Sequence, residues 1–318
     1  MKIGKNIAVA KAALEAGELV AIPTETVYGL AANALDSKSV VKIFEAKNRP
    51  FFNPLIVHIG LAENLEELTN SKPAYVDKLI EEFWPGPLTL VLPKSNKVPD
   101  IVSGGLDTVA VRMPNHAMTL ELLQSLNFPL AAPSANPFKY ISPTTAEHVA
   151  AQMGDKVSYI LDGGACKVGV ESTIVKCLDD KILLLREGKI QAEEIEAFTG
   201  IKAEKVKTNN EKPEAPGMLS THYAPNSKIL IGNIADLIEK YSDKKLGILS
   251  FSEKYTAENI LYQEILSSKE NLSEAAANFF SALRNLDAAH VDLILAEYLP
   301  EEGIGRAVND RLRRASTI

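Results

Sequence analysis

The stretch Lys47-Asn48-Arg49-Pro50-Phe51-Phe52-Asn53-Pro54, followed by the apolar run Leu55–Ile59, is the most informative part of this sequence. It carries two cations two residues apart, between a predicted helix over Ser37–Ala46 and a predicted strand over Leu55–Ile59. The two prolines restrict the backbone, so the cations are held with little ordering cost when an anion binds. Arginine offers a planar fork to phosphate oxygens, and lysine offers a compact point charge. The segment therefore suits an anion site, although a solvated surface loop also fits these eight residues.

Short apolar runs alternate with amphipathic segments on both sides of this stretch. Further strands are predicted at Leu19–Pro23, Leu88–Leu92, Val109–Met113, Leu130–Ala132, Tyr159–Asp162, Ser172–Lys176 and Leu183–Arg186. Further helices are predicted at 4–16, Ala74–Phe83, His116–Ser125, Pro143–Met153 and Ala192–Phe198. We expect Ser37 to cap the helix that precedes Lys47. Because strands and helices do not alternate one to one, the pattern predicts an α/β fold with a mixed, twisted sheet.

The length of 318 residues is long for one domain and suits two. The first clear linker is a stretch rich in Lys, Glu, Asn and Pro that ends at Asn226. We therefore predict a front domain at 1–205, a linker at 206–226 and a smaller α/β domain at 227–318. The strand–helix–strand start of the last part is Rossmann-like, but the sequence has no Gly-x-Gly-x-x-Gly fingerprint.

Composition excludes several classes of protein. The formal net charge is −7, and the first 205 residues hold 21 Lys and Arg against 25 Asp and Glu, so no global field attracts nucleic acid. Cys166 and Cys177 form no disulfide framework and have no metal-ligand spacing with histidine. The N-terminus has no signal-peptide pattern, and no apolar run approaches the ~18 residues of a membrane span. We therefore expect a cytoplasmic protein.

Polar and cationic residues gather where the predicted strands end, which is where ligands bind in α/β sheets. The cations are Lys47, Arg49, Arg112 and Arg186, and the hydroxyl residues are Thr24, Thr26, Thr108, Ser134, Ser142 and Ser172. Together they suit a nucleoside triphosphate and a small zwitterion or carboxylate. Taken singly, the threonines also suit loop caps, Ser134 an ordinary turn, and His58 a buried core histidine. No Walker A loop and no kinase motif set is present.

These residues resemble the YrdC/Sua5 family. The matching motifs, in the order of that family, are Ile22–Leu30, Lys47–Pro50, Pro54–His58, Phe83–Thr89, Val111–Pro114, Ala132–Asn136 and Glu171–Ile174. Lys-x-Arg and Ser-x-Asn are its hallmark pairs. Pro216–Met218, His222–Pro225, Gly303–Ala307 and Asp310–Leu312 resemble the linker and second domain of the two-domain Sua5 type. The resemblance makes 1–205 a YrdC-like catalytic domain, 206–226 a lid and 227–318 a Sua5 C-terminal domain.

The resemblance implies a nucleotidyltransferase that joins L-threonine, bicarbonate and ATP to threonylcarbamoyl-AMP, with release of diphosphate. Mg²⁺ is expected to accompany ATP. The product feeds N6-threonylcarbamoyl modification of adenosine 37 in tRNAs that read ANN codons, through a separate tRNA threonylcarbamoyl transferase complex. A weak contact with tRNA or double-stranded RNA is possible in this reading, and no membrane is involved.

The resemblance also implies roles for single residues. Lys47 and Arg49 are the expected catalytic residues, because they neutralise charge where phosphate meets carboxylate. L-threonine is expected at Thr26, His58, Arg112, Ala132 and Ser172. ATP is expected at Arg49, Asn53, Thr108, Ser134, Asn136, Ser142, Arg186 and Tyr223, with His222 beside Tyr223 in the lid.

Two other functions are compatible with parts of the sequence. One is a module that binds double-stranded RNA or tRNA without turnover, which the acidic front part disfavours. The other is a carbamoyl-adenylate-forming domain of the hydrogenase maturation type, which belongs to longer chains with zinc-finger cysteines.

Overall fold

The computed structural model describes residues 2–206, 213–218 and 222–316, which divide into two compact units. The first unit consists of the described residues of Met1–Phe138, Pro143–Lys167 and Glu171–Leu219. The second consists of the described residues of Lys139–Ser142, Val168–Val170 and Ser220–Ile318. The linker at 206–226 lies partly outside the described residues, and the boundaries at 205 and 226 stay a prediction.

The first unit is built on one large sheet with helices on both faces. Its strands are β1 (Lys2–Gly4), β2 (Val20–Ile22), β3 (Gly29–Asn33), β4 (Ile56–His58), β5 (Leu88–Pro93), β6 (Thr108–Arg112), β7 (Leu130–Ala131), β8 (Tyr159–Leu161), β9 (Thr173–Cys177), β10 (Ile182–Arg186) and β11 (Ala203–Lys205). Its helices are α1 (Ile7–Glu15), α2 (Ser37–Lys47), α3 (Leu65–Leu68), α4 (Tyr75–Phe83), α5 (Asp100–Ser103), α6 (Ala117–Ser125), α7 (Ala146–Met153) and α8 (Ala192–Thr199).

The sheet has the strand order β1-β8-β2-β3-β7-β4-β6-β5-β9-β10-β11. Parallel and antiparallel pairs are interspersed: β4 runs parallel to β6, β6 antiparallel to β5, β5 parallel to β9, and β9 antiparallel to β10. This arrangement confirms the predicted mixed α/β fold.

The two faces of the sheet carry different side chains. Val57, Leu90 and Val111 point to the first face, where they join a large apolar core with side chains of α2, α4 and α7. On the second face, α1 and α6 cover the strands around β2, β3 and β8. Because successive side chains of a strand alternate between faces, the neighbours of these core residues in β4, β5 and β6 point to the second face as well.

Helix α2 delivers Lys47 to the end of the predicted anion-binding stretch. The prediction that Ser37 caps this helix is wrong, because the cap is Asp36, whose carboxylate accepts the N–H groups of Lys38 and Ser39. A carboxylate at this position also interacts favourably with the helix dipole. At the other end, Asn48 adopts a left-handed conformation (φ 52°) and stops the helix directly after Lys47.

The prediction of a helix from Pro143 is wrong at its start. Helix α7 begins at Ala146, and Thr145 caps it by accepting the His148 N–H at 3.3 Å. The residues before Thr145 are left in an extended turn, whose Pro143 carbonyl accepts the Tyr28 N–H at 2.9 Å. The turn therefore supports the beginning of β3.

The second unit has a four-stranded parallel sheet in the order β12-β15-β13-β14. Its elements are β12 (Lys228–Ile231), α9 (Ile234–Lys240), β13 (Leu246–Ser250), β14 (Ile260–Ile265), α10 (Leu272–Ala288), β15 (Leu293–Ala296) and α11 (Gly305–Ser316). Parallel strands with intervening helices agree with the predicted Rossmann-like character. No helix in either unit's described residues is long and apolar enough to cross a membrane.

Candidate active site on the large sheet

The candidate site lies on the second face of the large sheet, where three cross-strand pairs bring polar and apolar side chains together. His58 in β4 is opposite Arg112 in β6, and Thr89 in β5 is opposite Ile174 in β9. Val91 in β5 is opposite Ala110 in β6, which places all three pairs on one face. The buried apolar members form a floor beside the polar ones: Ile56, Val91, Ala110 and Ile174.

Residues 213–218, which we call the covering segment, pack on this same face. The apolar side chains that bury themselves against the floor are Ala215 and Met218. Two polar contacts fix the segment: an ion pair between Lys176 and Glu214, and a hydrogen bond from Arg186 Nη1 to the Pro216 carbonyl at 3.1 Å. The covering segment therefore closes one side of the candidate site.

Arg112 is buried on this face and contacts two other segments of the chain. Its Nε donates to the Gly86 carbonyl at 3.2 Å, and its Nη1 donates to Thr26 Oγ1 at 3.0 Å. Its Nη2 lies 2.7 Å from a carboxylate oxygen of Glu25. The turn that carries Glu25 and Thr26 is held by Thr24, whose Oγ1 accepts the Thr26 N–H at 3.1 Å. Arg112 is thereby fixed in place with a fork of N–H donors on the sheet face.

His58, the neighbour of Arg112 across the strand pair, is buried and uncharged at neutral pH. Burial, together with the nearby charge of Arg112, lowers the pKa of His58 to about 3. Its Nδ1 has no hydrogen-bond partner among the described residues. A neutral imidazole with an open ring nitrogen can bind a hydroxyl group of a substrate without adding charge to the site.

Lys47 is buried and held by neutral oxygens. Its Nζ donates to the Ser134 carbonyl at 2.5 Å and to the Asn136 carbonyl. Burial, reinforced by the charge of Arg49, lowers the pKa of Lys47 well below its usual range. Among residues 2–206, 213–218 and 222–316, no carboxylate lies within ion-pair distance of this ammonium group. Since a buried charge is costly until an opposite charge compensates it, Lys47 favours the binding of an anion.

Arg49 is joined to Lys47 through a short chain of contacts. Its Nη2 donates to Asn53 Oδ1 at 2.7 Å and to the Pro54 carbonyl at 2.8 Å. Its guanidinium lies 5.8 Å from the centre of the Phe138 ring, and the Phe138 N–H donates to the Lys47 carbonyl at 2.8 Å. The Lys-x-Arg and Ser-x-Asn motifs of the sequence therefore form one cationic cluster with buried side chains.

Ser172 connects two neighbouring strands with Arg186. Its Oγ lies 2.7 Å from Thr89 Oγ1 and accepts a hydrogen bond from Arg186 Nη2 at 3.0 Å. Arg186 Nε also donates to the Ser172 carbonyl at 3.0 Å. Ser172, directly before β9, and Arg186, at the end of β10, thus lie on the same face as Thr89 of the neighbouring strand β5.

Two further predicted residues border the floor. The Ala132 N–H donates to the Ile56 carbonyl at 3.0 Å, which places Ala132 beside it. Thr108 begins β6 and shares its face with Arg112, four residues and ~13 Å along the strand. Thr108 therefore marks the far end of the site, and its predicted contact with ATP stays a prediction.

The two remaining predicted residues, Ser142 and Tyr223, belong to the second unit, where both are buried. The Tyr223 ring lies 4.1 Å from that of His222 and 5.6 Å from that of Phe280, centre to centre. Their roles in binding ATP stay predictions.

Three residues of the face were not singled out from the sequence: Glu25, Thr89 and Phe138. Glu25 stands between two threonines in a turn, where an acidic residue is normally solvated. Because Thr89 stands between Leu88 and Leu90 in a strand, its side chain is expected on the face opposite to theirs. This alternation could have identified Thr89 from the sequence. The position of Phe138 under Arg49 depends on a turn that sequence patterns do not specify.

Family models match both parts of the chain. The Sua5_yciO_yrdC model, described as telomere recombination, matches residues 12–188. The Sua5_C model, described as threonylcarbamoyl-AMP synthase, C-terminal domain, matches residues 190–317. The chain belongs to the Sua5/YrdC family. The resemblance predicted from the sequence motifs is therefore confirmed.

Relatives of this Sua5/YrdC protein match over nearly its whole length. The threonylcarbamoyl-AMP synthase of Pyrococcus abyssi is 45% identical, over 98% of this chain and 94% of the relative. That of Bacillus subtilis is 44% identical, over 98% of this chain and 93% of the relative. A crystal structure of P. abyssi Sua5 in complex with L-threonine matches with a TM-score of 0.93 and 43% identity, over 99% of this chain and 97% of that one.

Proposed function

We propose that this chain joins L-threonine, bicarbonate and ATP to L-threonylcarbamoyladenylate, with release of diphosphate and water. The observation that carries this proposal is the buried Lys47–Arg49 cluster, in which Lys47 rests on neutral carbonyls and favours an anion. The relatives from P. abyssi and B. subtilis, which carry the name of this activity, support it over almost the full chain. The chain is accordingly an enzyme of the nucleotidyltransferase type.

The reaction brings two anions together, and the site is built to neutralise them. Threonine and bicarbonate form an N-carboxylated dianion with loss of water and one proton, and its new carboxylate attacks the α-phosphate of ATP and displaces diphosphate. Arg112 pairs with the α-carboxylate of threonine, while Thr26 and Ser172 contact its polar groups and the neutral His58 receives its hydroxyl. Lys47 and Arg49 meet the phosphates, so electrostatic stabilisation and positioning supply the catalysis. The attacking carboxylate needs no general base because it is already a nucleophile.

Mg²⁺ is proposed as a companion of ATP rather than as a resident metal. The described residues contain no group of three or more His, Cys, Asp or Glu side chains that could hold an ion. Mg²⁺ would be bound mainly by triphosphate oxygens and water, as is usual for this ion. When bound, it shares the negative charge of the triphosphate.

The partners and location beyond the reaction itself also belong to the proposal. The product is an activated carbamoyl group, so it suits transfer to adenosine 37 of tRNAs that read ANN codons by a separate transferase complex. Such a role implies a cytoplasmic protein.

Mass spectrometry tests the proposed reaction directly. The full chain is incubated with ATP, Mg²⁺, L-threonine and ¹³C-bicarbonate, and the products are separated at short times. We expect a threonylcarbamoyl adenylate that carries one ¹³C, together with an equal amount of diphosphate. Diphosphate without the labelled adenylate, or release that does not depend on threonine, would disprove the proposal.

A further inference from the structure

Glu25 carries a buried carboxylate on this face of the sheet. Neither the sequence motifs nor the proposed reaction assigns a role to this carboxylate. Its residue is 8% exposed, and one of its carboxylate oxygens lies 2.7 Å from Arg112 Nη2. Neither carboxylate oxygen has a hydrogen-bond partner among the described residues. The contact with Arg112 is therefore a charge pair that leaves the acceptor capacity of the carboxylate unused.

A buried carboxylate that accepts no hydrogen bond needs a donor, because burial removes the water that would otherwise donate to it. The groups near Glu25 do not provide one. Burial lowers the pKa of His116 although the charge of Glu25 opposes it, and burial raises the pKa of the Cys166 thiol to about 12; neither side chain donates a hydrogen bond to Glu25. The Thr24 hydroxyl donates to the Val27 carbonyl at 2.6 Å, and the Thr26 hydroxyl, 2.8 Å from Thr24 Oγ1, also accepts from Arg112.

The paired arginine and glutamate form a surface that is complementary to a zwitterion. In an α-amino acid, the ammonium nitrogen lies about 3 Å from the carboxylate oxygens, because only two carbon atoms separate them. Charge-assisted hydrogen bonds have similar lengths, about 2.7–2.9 Å. A substrate carboxylate on Arg112 consequently places its ammonium group within reach of a carboxylate that is 2.7 Å from the same guanidinium.

We propose that Glu25 binds the ammonium group of the amino-acid substrate and so selects an α-amino acid over an otherwise identical hydroxy acid. This inference rests on the proposed function, since that function puts the substrate carboxylate on Arg112. It assigns to Glu25 a direct contact with substrate. A purely structural Glu25 would serve only to hold Arg112 in place.

The test compares two ligands on two forms of the enzyme. The ligands are L-threonine and (R)-3-hydroxybutanoate, which is threonine without its amino group. Binding to the wild type and to Glu25→Gln is measured by calorimetry in the presence of a non-hydrolysable ATP analogue. We expect Glu25→Gln to weaken L-threonine binding by roughly 10-fold or more, as for loss of a charged hydrogen bond, and to leave (R)-3-hydroxybutanoate unchanged or tighter.

Controls separate the outcomes. Glu18→Gln removes an exposed carboxylate and is expected to bind both ligands as the wild type does. If Glu25→Gln weakens both ligands equally, Glu25 acts only through Arg112 and the inference is wrong; unchanged binding of threonine also overturns it. Should the glutamine variant fail to fold, Glu25→Asp withdraws the carboxylate by about 1.5 Å. The preference for threonine must then fall, and an unchanged preference contradicts the inference.

Assays of the wild-type enzyme distinguish failure of this inference from failure of the proposed function on which it rests. If the wild type releases diphosphate in a threonine-dependent way while Glu25→Gln keeps its ligand preference, only the role of Glu25 fails. If the wild type shows no threonine-dependent release, the proposed function fails and the role of Glu25 falls with it.

Discussion

Lys47, Arg49 and Arg186 of the first unit and a group of arginines in the second unit are held by different partners. In the first unit, Lys47 rests on backbone carbonyls, and Arg49 and Arg186 donate to amide, carbonyl and hydroxyl oxygens. In the second unit, one carboxylate, that of Asp310, lies near three arginines of α11: Arg311, Arg313 and Arg314, at 3.8, 3.8 and 2.9 Å.

This difference distinguishes a ligand-binding site from a cluster of structural ion pairs. Neutral oxygens orient a cation but leave its positive potential for a ligand, whereas a carboxylate cancels that potential. Burial tends to raise the pKa of Asp310, but the charges of Arg311 and its neighbours outweigh burial and hold the pKa below its usual range. Asp310 therefore compensates part of the charge of the second cluster, whereas Lys47 in the first cluster rests on neutral backbone carbonyls.

The largest effect is expected from Lys47→Met, which tests whether the first cluster serves the ligand. We expect threonine-dependent diphosphate release to fall by about 100-fold or more, as for loss of a preorganised charge at a transition state. The melting temperature should stay the same or rise, because an uncompensated buried charge is removed. Release is measured with a coupled diphosphate assay and stability by calorimetry.

The exposed Lys78 supplies the matched control for this experiment. Lys78→Met removes the same charge and is expected to leave diphosphate release unchanged. A Lys47→Met enzyme that retains activity, or that melts well below the wild type, would show that Lys47 is structural.

Asp310→Asn tests the opposite expectation for the second cluster. Removing the carboxylate leaves Arg311 and Arg314 without their shared counter-ion, so the free energy of unfolding should fall by about 3 kcal/mol. Urea denaturation followed by circular dichroism measures this change. An Asp310→Asn protein as stable as the wild type would remove the contrast between the two clusters.

Arg186→Lys sharpens the comparison within the first unit. A lysine keeps the charge but cannot reproduce the fork that holds Ser172 and the Pro216 carbonyl together. We expect KM for ATP to rise roughly 10-fold as two or three directed hydrogen bonds are lost. The same change at the exposed Arg313 is the control and should leave KM unaltered; equal effects in both variants would argue against a role for the fork.

The smallest effect concerns pH and His58. The folded-state pKa of about 3 lies below the ordinary value of ~6.5, so in acid the unfolded chain binds a proton that the folded chain does not. Stability should therefore fall as pH decreases from about 6.5 towards 3, by up to ~1.4 kcal/mol per pH unit from this residue. Denaturation of His58→Gln between pH 7 and 4 should show a shallower slope than the wild type.

A control for this measurement is His290→Asn, at an exposed position of the second unit. It should retain the steep wild-type slope. An unaltered slope in His58→Gln would mean that other groups dominate the acid response.

The sequence anticipated regular elements better than irregular ones. Strands Lys228–Ile231, Leu246–Ser250 and Leu293–Ala296 agree with apolar runs of four or five residues. By contrast, β3 has the small-residue sequence Gly-Leu-Ala-Ala-Asn, which lacks the β-branched residues that mark strands, and it was missed. Helix α11 was missed because its buried face is formed by arginine, asparagine and aspartate as well as apolar residues.

The candidate site was predictable in composition but not in geometry. Spacing and residue type identified Lys47, Arg49, Arg112 and Arg186 as cations of interest. That His58 and Arg112 share one face follows from the parallel register of β4 and β6, which joins segments more than fifty residues apart. The contact of Glu25 with Arg112 likewise joins segments far apart in the sequence, so the local pattern of the turn gave no indication of it.

The covering segment has a consequence for the fate of the product. A carbamoyl–phosphate anhydride is hydrolysed by water, and Ala215 and Met218 present an apolar lining above the floor on which it would form. Because Arg186 holds both Ser172 and the Pro216 carbonyl, displacing the segment also loosens the grip on the substrate side. In the proposed reaction, one guanidinium group would thus link shelter of the anhydride to its release, because the covering segment stays in place only while Arg186 holds it.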